Sequence, residues 1–488
     1  MKNDALLQLL SRMGSNGRAE SEDREAFCKM FYPVPEQMKA LDPDVTLILG
    51  SRGSGKTSLF RAVAEFGLTE TFRNLYPKAR IPENCQWVGV GLAGKTVPNQ
   101  TQLRRFFGDP GTTEDQAHDF WQCLLVRELW ELLDEEGRKG CMPLKNASSS
   151  IVEALLDAAR ACSDAAASAL DRLDDRLEHK RQILFVGYDD LDLLVTQSGR
   201  AASTLIGFWA SRSRRWNGIR AKLFMRSDIY QRFGVEGGPD LAKISANRME
   251  LNWSDESLLG LLIKRVLNTD MESWRKTLGL KQSQLRMDPK LGWSLLSETP
   301  ETLRSVVHAL LGPYMGAGPK KGATQTWIID HIKDCQGNAV PRFLVGMFEL
   351  AAQLQIKSDY AGPTLLAPTF LRQALTTISE EHVKASLPEW PWLEGFKQRI
   401  TRLSKLRNVP FERKYFEVQI RKNWNDSWGN NVEAPCEDSG DFVPLLLDAG
   451  ILRERKDGRL ETTDLYLDGL GFKRKGGVRR RAPRSVGN

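Results

Sequence analysis

The chain carries only five histidines, and its seven cysteines (Cys28, Cys85, Cys123, Cys141, Cys162, Cys335 and Cys436) lie singly and far apart. With no Cys-x-x-Cys pair and no Cys/His cluster, a structural zinc site and a disulfide scaffold are both excluded, and reduced thiols are expected. No run approaches the roughly 18 apolar residues that a membrane-spanning helix needs. The opening stretch MKNDALLQLLSRMGSN has too short an apolar run for a signal peptide. A cytoplasmic protein without a membrane partner is therefore expected. No Ser/His/Asp triad, metal-nuclease cluster or dinucleotide fingerprint can be found. Acid is missing from one place: from Gly471 onward GFKRKGGVRRRAPRSVGN holds seven of the 69 basic residues and no Asp or Glu. The remaining basic residues equal the 62 acidic ones in number, so the net charge of +7 is a property of one end.

What is present fits a globular chain of two or three domains: 488 residues, 41% hydrophobic and 27% charged. Residues 1–40 read as a polar, partly helical lead-in. From 41 to 253 the pattern is α/β. VTLILG (Val45–Gly50), WVGVGLAG (Trp87–Gly94), ILFVGY (Ile183–Tyr188), AKLFMR (Ala221–Arg226) and RMELNW (Arg248–Trp253) are strand candidates. Helical spacing is expected over Ser58–Phe66, through an insertion at about 100–180, and near 200–215. In that insertion Phe120, Trp121, Leu124, Leu125, Leu129 and Trp130 form one apolar stripe, and ACSDAAASALDRLDDRLEHK reads as a more solvated helix. At Ser254 the character changes. Ser254 suits an N-cap, Asp255 and Glu256 suit a first turn, and Trp253 with Leu258 could form a hydrophobic staple. From there to 360 nearly everything reads as helix, a lid interrupted only by GPYMGAGPKKGATQ.

Residues 361–475 are expected to be a helix-rich module ending in a wing. An apolar helix stops at Gly450, ILRER extends, Lys456-Asp457-Gly458 turns and RLETTD returns; Asp-Gly between extended runs is a strong hairpin signal. Residues 476–488 form the basic tail.

The chemistry lies between the first strand and the next helix. GSRGSGKTS fits G-x-x-x-x-G-K-[ST], the phosphate-binding loop. Gly50, Ser51, Arg52, Gly53, Ser54, Gly55, Lys56, Thr57 and Ser58 are the nucleotide-binding candidates, because small residues let backbone N–H groups close around phosphate oxygens. Lys56 is expected on the β and γ phosphates of ATP and Thr57 on Mg2+. Such a loop calls for a carboxylate at another strand end, and ILFVGYDDLDLL supplies Asp189 for Mg2+ and Asp190 for the attacking water, with Asp192 nearby.

GSRGSGKTS followed by VGYDDLDLL resembles the P-loop ATPases of the AAA+/STAND group, closest to the bacterial KAP-like proteins with their strand followed by Asp-Asp-Leu-Asp. The resemblance implies a sheet in which another strand separates the loop strand from the acidic one. It implies Asp189 as the magnesium residue and Asp190, with Lys56, as catalytic. Most AAA+ members carry Glu in the second acidic place. The sensor candidates it implies are Arg226, Ser227 and Asp228 at the tip of AKLFMRSDIY. Arg342 is another, where GNAVPRFLVGMFELAA looks like the lid segment opened by Pro-Arg. KAP proteins often carry membrane helices, which this sequence lacks. Arg212, Arg214, Arg215, Arg220 and Arg248 are open candidates for an arginine finger between subunits of a homo-oligomer.

The expected fold is thus an α/β parallel-sheet phosphate-loop core with a helical lid and a C-terminal winged-helix-like module. The expected function is a Mg2+-dependent ATP switch, which the resemblance sets in bacterial antiphage or mobile-element systems. Two alternatives stand: a DNA-acting motor or loader ATPase, and a scaffold that holds ATP with little hydrolysis. Lys473, Arg474, Lys475, Arg479, Arg480, Arg481 and Arg484 are nucleic-acid candidates, for double-stranded DNA; the same module could instead dock an effector protein.

Overall fold

The computed structural model describes residues 2–14, 23–91, 97–148, 151–191, 199–233 and 239–475. The chain divides into two compact units, one of Arg18–Asn268 with Arg286–Leu295, the other of Met1–Gly17, Thr269–Leu285 and Leu296–Asn488. The helix Asp255–Leu267 thereby belongs with the sheet.

Five strands build the first unit's sheet: β1 (Leu47–Gly50), β2 (Cys85–Gly91), β3 (Ile183–Asp189), β4 (Ile219–Arg226) and β5 (Met249–Glu250). Their order is β2-β3-β4-β1-β5, and every pairing is parallel. β4 thus separates the loop strand from the acidic strand, as the resemblance implied. The pleat sends alternate residues to opposite faces. Leu47, Leu49, Leu223 and Met225 pack with Phe120, Trp121, Leu170 and Phe208 from the helices on one side. Ile48 and Phe224 pack with Phe60, Phe72 and Met38 on the other. Both faces are covered, which is why these strands read as continuous apolar runs.

The helices Gln100–Gly108, Glu114–Glu128, Val152–Ala161, Ser163–His179 and Arg200–Arg212 answer the helical expectations. The helix expected to be solvated is not wholly so. Its Asp174 is buried and accepts the backbone N–H of Asn217, Gly218 and Ile219, at 3.0, 2.8 and 2.7 Å, fixing the start of β4. The helix after the loop runs regularly over Lys56–Phe60 and then widens to a π turn over Arg61–Glu65. It lies close to the sheet because β2 and β3 present glycine beneath it. A Cβ on Gly89 would sit 2.8 Å from Phe60 Cζ, and one on Gly187 3.0 Å from Phe60 Cε2.

Lys222, in the middle of β4, is fully buried. Its ammonium donates to the carbonyls of Asp42 and Val45 and lies 4.8 Å from the Phe185 ring centroid. Burial pulls its pKa down to about 7. Between about pH 7 and the ordinary lysine value the unfolded chain binds the proton and the folded chain does not. The contribution of this group to stability therefore rises with pH across that window, by at most about 1.4 kcal/mol per pH unit. Urea unfolding of wild type and Lys222→Met at steps from pH 7 to 10 should show the wild type gaining on the variant as pH rises. A constant difference would contradict the lowered pKa.

The stretch to 360 is not all helix. β6 (Leu285–Asp288) and β7 (Gly292–Leu295) form a two-stranded sheet, turned by Asp288, whose Oδ1 accepts from Lys290 N and Leu291 N at 2.9 Å each. In the second unit, helices Pro341–Ile356 and Pro368–Ser386 precede a C-terminal module with helices Leu393–Arg402, Arg413–Lys422 and Phe442–Asp448. Its wing is present as expected: β10 (Arg453–Glu454) and β11 (Arg459–Glu461) are antiparallel, with Gly458 at φ 76° in the turn. A third strand, β9 (Phe411–Glu412), pairs with β11. A separate parallel pair joins β8 (Asn408–Val409) to β12 (Lys473–Arg474). Buried Arg399 stitches the module, donating to the carbonyls of Gly395, Asn423, Asp426 and Ser427 and stacking 3.6 Å from the Trp428 ring centroid. Among the described residues no helix is long and apolar enough to cross a membrane.

Candidate functional site

Gly50 closes β1, and the chain turns through Ser51–Gly55 before the helix begins at Lys56. Gly53 and Gly55 hold φ of 85° and 102°, the left-handed region in which a Cβ is penalised. A Cβ on Gly50 would meet Ser54 Oγ at 2.4 Å and Leu251 Cβ at 3.3 Å. Ser54 N donates to Ser51 O at 3.2 Å, and Leu59 N to Gly55 O at 2.9 Å, joining the tight turn to the first helical turn. Ser54 Oγ is buried without a hydrogen-bond partner. Lys56 folds over its own loop, with Nζ donating to the carbonyls of Gly50 and Ser51 at 2.8 and 2.9 Å. Thr57 and Ser58 follow, half-buried, and Arg52 is exposed at the tip.

Register brings the carboxyl ends of three strands together, the end of an open parallel sheet where ligands bind. Gly50 of β1 faces Arg226 of β4, and Leu49 faces Glu250 of β5. Ser227 Oγ donates to Glu250 Oε1 at 2.6 Å, so the tips of β4 and β5 are tied across the strand that bears the loop. Arg226 grips Asp228 with two bonds, Nε to Oδ1 at 3.1 Å and one guanidinium N–H to Oδ2 at 2.6 Å. Burial alone would raise the Asp228 pKa; the Arg226 charge and hydrogen bonds, with the Lys56 ammonium, bring it below the usual carboxylate value. The Arg226–Asp228 ion pair thus lies within electrostatic reach of Lys56.

On the acidic strand, Asp189 ends β3 and is buried at 5% exposure, while Asp190 is half-buried at φ 61°. The left-handed residue bends the chain sharply as it leaves the strand. Asp192 lies outside the described residues.

The shape and polarity of the loop suit a nucleoside polyphosphate. Three glycines stand where side chains would obstruct or strain it, and a hydroxyl without a partner lies buried in the same turn. Sequence reasoning missed two members of this neighbourhood. In the sequence Glu250 reads as part of a strand and Trp253 as the end of that strand and a staple, yet the Trp253 indole Nε1–H donates to Ser54 O at 2.7 Å.

Arg342 is exposed in the first turn of Pro341–Ile356, in the second unit. Of the finger candidates, Arg212 stacks 3.6 Å from the Phe208 ring centroid and bonds Gln122, Arg215 pairs with Asp171, Arg220 bonds Asn217 and Arg248 bonds the Ser245 carbonyl. Lys473 and Lys475 are exposed, whereas Arg474 makes a two-bond pair with Asp464 at 3.2 and 2.7 Å. Arg479, Arg480, Arg481 and Arg484 lie outside the described residues.

No protein-family model and no curated protein matches the chain. Among solved structures it is similar to the ORC2 protein of Aeropyrum pernix in ADPNP–ADP complexes, at 13% identity and a TM-score of 0.39 over 92% of this chain and 91% of that one. The Walker-type ATPase paby2304 of Pyrococcus abyssi gives 14% and 0.39 over 94% and 99%. Cdc6p of Pyrobaculum aerophilum gives 13% and 0.34 over 92% and 97%.

Proposed function

We propose that the protein is a Mg2+-dependent switch that binds and hydrolyses ATP at Gly50–Ser58. The observation that carries this reading is the glycine-shaped turn from β1 into Lys56, on a sheet whose acidic strand stands beyond β4. Lys56 would bind the β and γ phosphates, and backbone N–H groups of the loop would hold their oxygens. Thr57 and Asp189 would hold Mg2+, which supplies charge neutralisation at the phosphates. Asp190 would take the proton of the attacking water. Ser227, tied to Glu250, and Asp228, held by Arg226, would sense the γ-phosphate from the neighbouring strand tips.

The C-terminal module would carry the output, to nucleic acid or to an effector protein. The exposed cations Lys473 and Lys475, continuing into Arg479–Arg481 and Arg484, favour double-stranded DNA, with homo-oligomerisation accompanying ATP binding. Titration calorimetry with ATP should show binding that weakens when EDTA removes Mg2+. Phosphate release should be measurable, and both turnover and mass should respond to DNA at low salt. A wild-type chain that neither bound nor hydrolysed ATP would sink the proposal. Turnover and assembly indifferent to DNA, with no DNA retained at low salt, would leave the effector protein as the partner.

A further inference from the structure

Trp253 follows β5 and immediately precedes Ser254, the N-cap of Asp255–Leu267, whose side chain accepts from Ser257 N at 3.1 Å. Its ring is half-buried and stacks on Tyr32, centroids 6.3 Å apart and planes 29° apart. The position where Gly55 would carry a Cβ is 3.8 Å from its Cζ2. Its only polar group, the indole N–H, is committed to the carbonyl of Ser54 at 2.7 Å. A trans peptide points its C=O and the following N–H in opposite directions. Holding the Ser54 carbonyl toward the indole therefore turns the Gly55 N–H away from it. Gly55, at φ 102°, is the residue on which the loop changes into helix.

We propose that Trp253 is a positioning residue of the phosphate loop: its indole fixes the Ser54–Gly55 peptide so that the Gly55 N–H is presented to phosphate, and it joins loop occupancy to the N-cap of Asp255–Leu267. The inference rests on the reading of Gly50–Ser58 as a nucleotide loop. Without the indole donor that peptide is free to rotate, and binding must order it.

The test compares wild type, Trp253→Phe and Trp253→Tyr by calorimetry with ATP and Mg2+, and by turnover. Trp253→Phe keeps an aromatic face against Gly55 and loses the donor. It should weaken ATP binding about fivefold to twentyfold, raising KM more than it lowers kcat, with the melting temperature near that of wild type. A merely structural tryptophan would lower the melting temperature and leave KM alone. On the otherwise unaltered chain, 5-fluorotryptophan placed at 253 alone should show a 19F resonance that shifts on saturation with ATP. Affinity within about twofold of wild type in a folded variant, or a resonance that ATP leaves unmoved, overturns the inference while the nucleotide reading stands. If wild type and Lys56→Ala alike fail to bind ATP, the nucleotide reading itself has failed.

Discussion

Replacing Lys56 with Ala should reduce ATP turnover on the order of a thousandfold while leaving the fold intact. Preorganised charge aimed at a transferring phosphoryl group is among the largest single contributions an active site makes. No other cation of the described loop is placed comparably, since Arg52 is exposed at the tip. The ammonium already lies against the loop, bonded to the carbonyls of Gly50 and Ser51. Binding phosphate means exchanging those two acceptors for phosphate oxygens. Truncation to Ala leaves the Ser51 carbonyl in a half-buried turn where water can replace the ammonium and the Gly50 carbonyl at a buried strand end, so the stability cost should be about 1–2 kcal/mol. Phosphate release gives the first readout. The second is thermal: saturating ATP at about a hundred times its Kd should stabilise wild type by about 2.7 kcal/mol and the variant not at all. Turnover within threefold of wild type in Lys56→Ala would remove the loop from the mechanism.

The parts of this site that are contiguous in sequence are legible in the sequence alone. VTLILG, GSRGSGKTS, ILFVGYDD and AKLFMR each carry their own signal, because an apolar run followed by a turn or an acid needs no distant partner to be recognised. The parts that depend on contact across the chain were not. Trp253 reaches Ser54 over a separation of 199 residues, and Ser227 reaches Glu250 from another strand, so no local pattern announces either bond. β9 and β8 are two residues each, too short to show alternation, and exist because β11 and β12 pair with them. β6 and β7 interrupt a stretch whose flanking periodicity is helical, and Gly292 at φ 72° marks the turn only in hindsight.

The C-terminal module shows why a count of cations is a weak guide to nucleic-acid binding. On the wing, Arg453 and Arg455 both bond Glu461, Arg459 bonds Asp457, and Arg413 ties Glu454 back to the helix beside it. Arg474 is likewise spent on Asp464. The arginines are largely exposed, but Glu461 and Asp464 are buried, so phosphate could draw an arginine away only by leaving a carboxylate, in those cases a buried one, uncompensated beside the DNA. Salt dependence of any DNA binding should therefore come chiefly from Lys473, Lys475 and the run beyond them, rather than from the wing.

Asp190→Asn should lower turnover about a hundredfold or more and leave ATP binding intact, the contribution expected of a positioned general base. The substitution is unusually clean at this place. Asp190 has φ 61°, a conformation that Asn and Asp tolerate better than other residues with a side chain. Asn therefore keeps the bend that carries the chain out of β3 and removes only the charge, while Asp189, buried beside it, is untouched. The same backbone offers a physical reason for Asp where the AAA+ resemblance leads one to expect Glu. A longer side chain on a left-handed residue loses the local hydrogen bonding that makes Asp acceptable there. Asp190→Glu should accordingly destabilise the chain by about 1 kcal/mol by urea unfolding rather than restore a faster enzyme. If Asp190→Asn turns over at the wild-type rate, the carboxylate is not the base, and a scaffold that holds ATP becomes the better account of the same geometry.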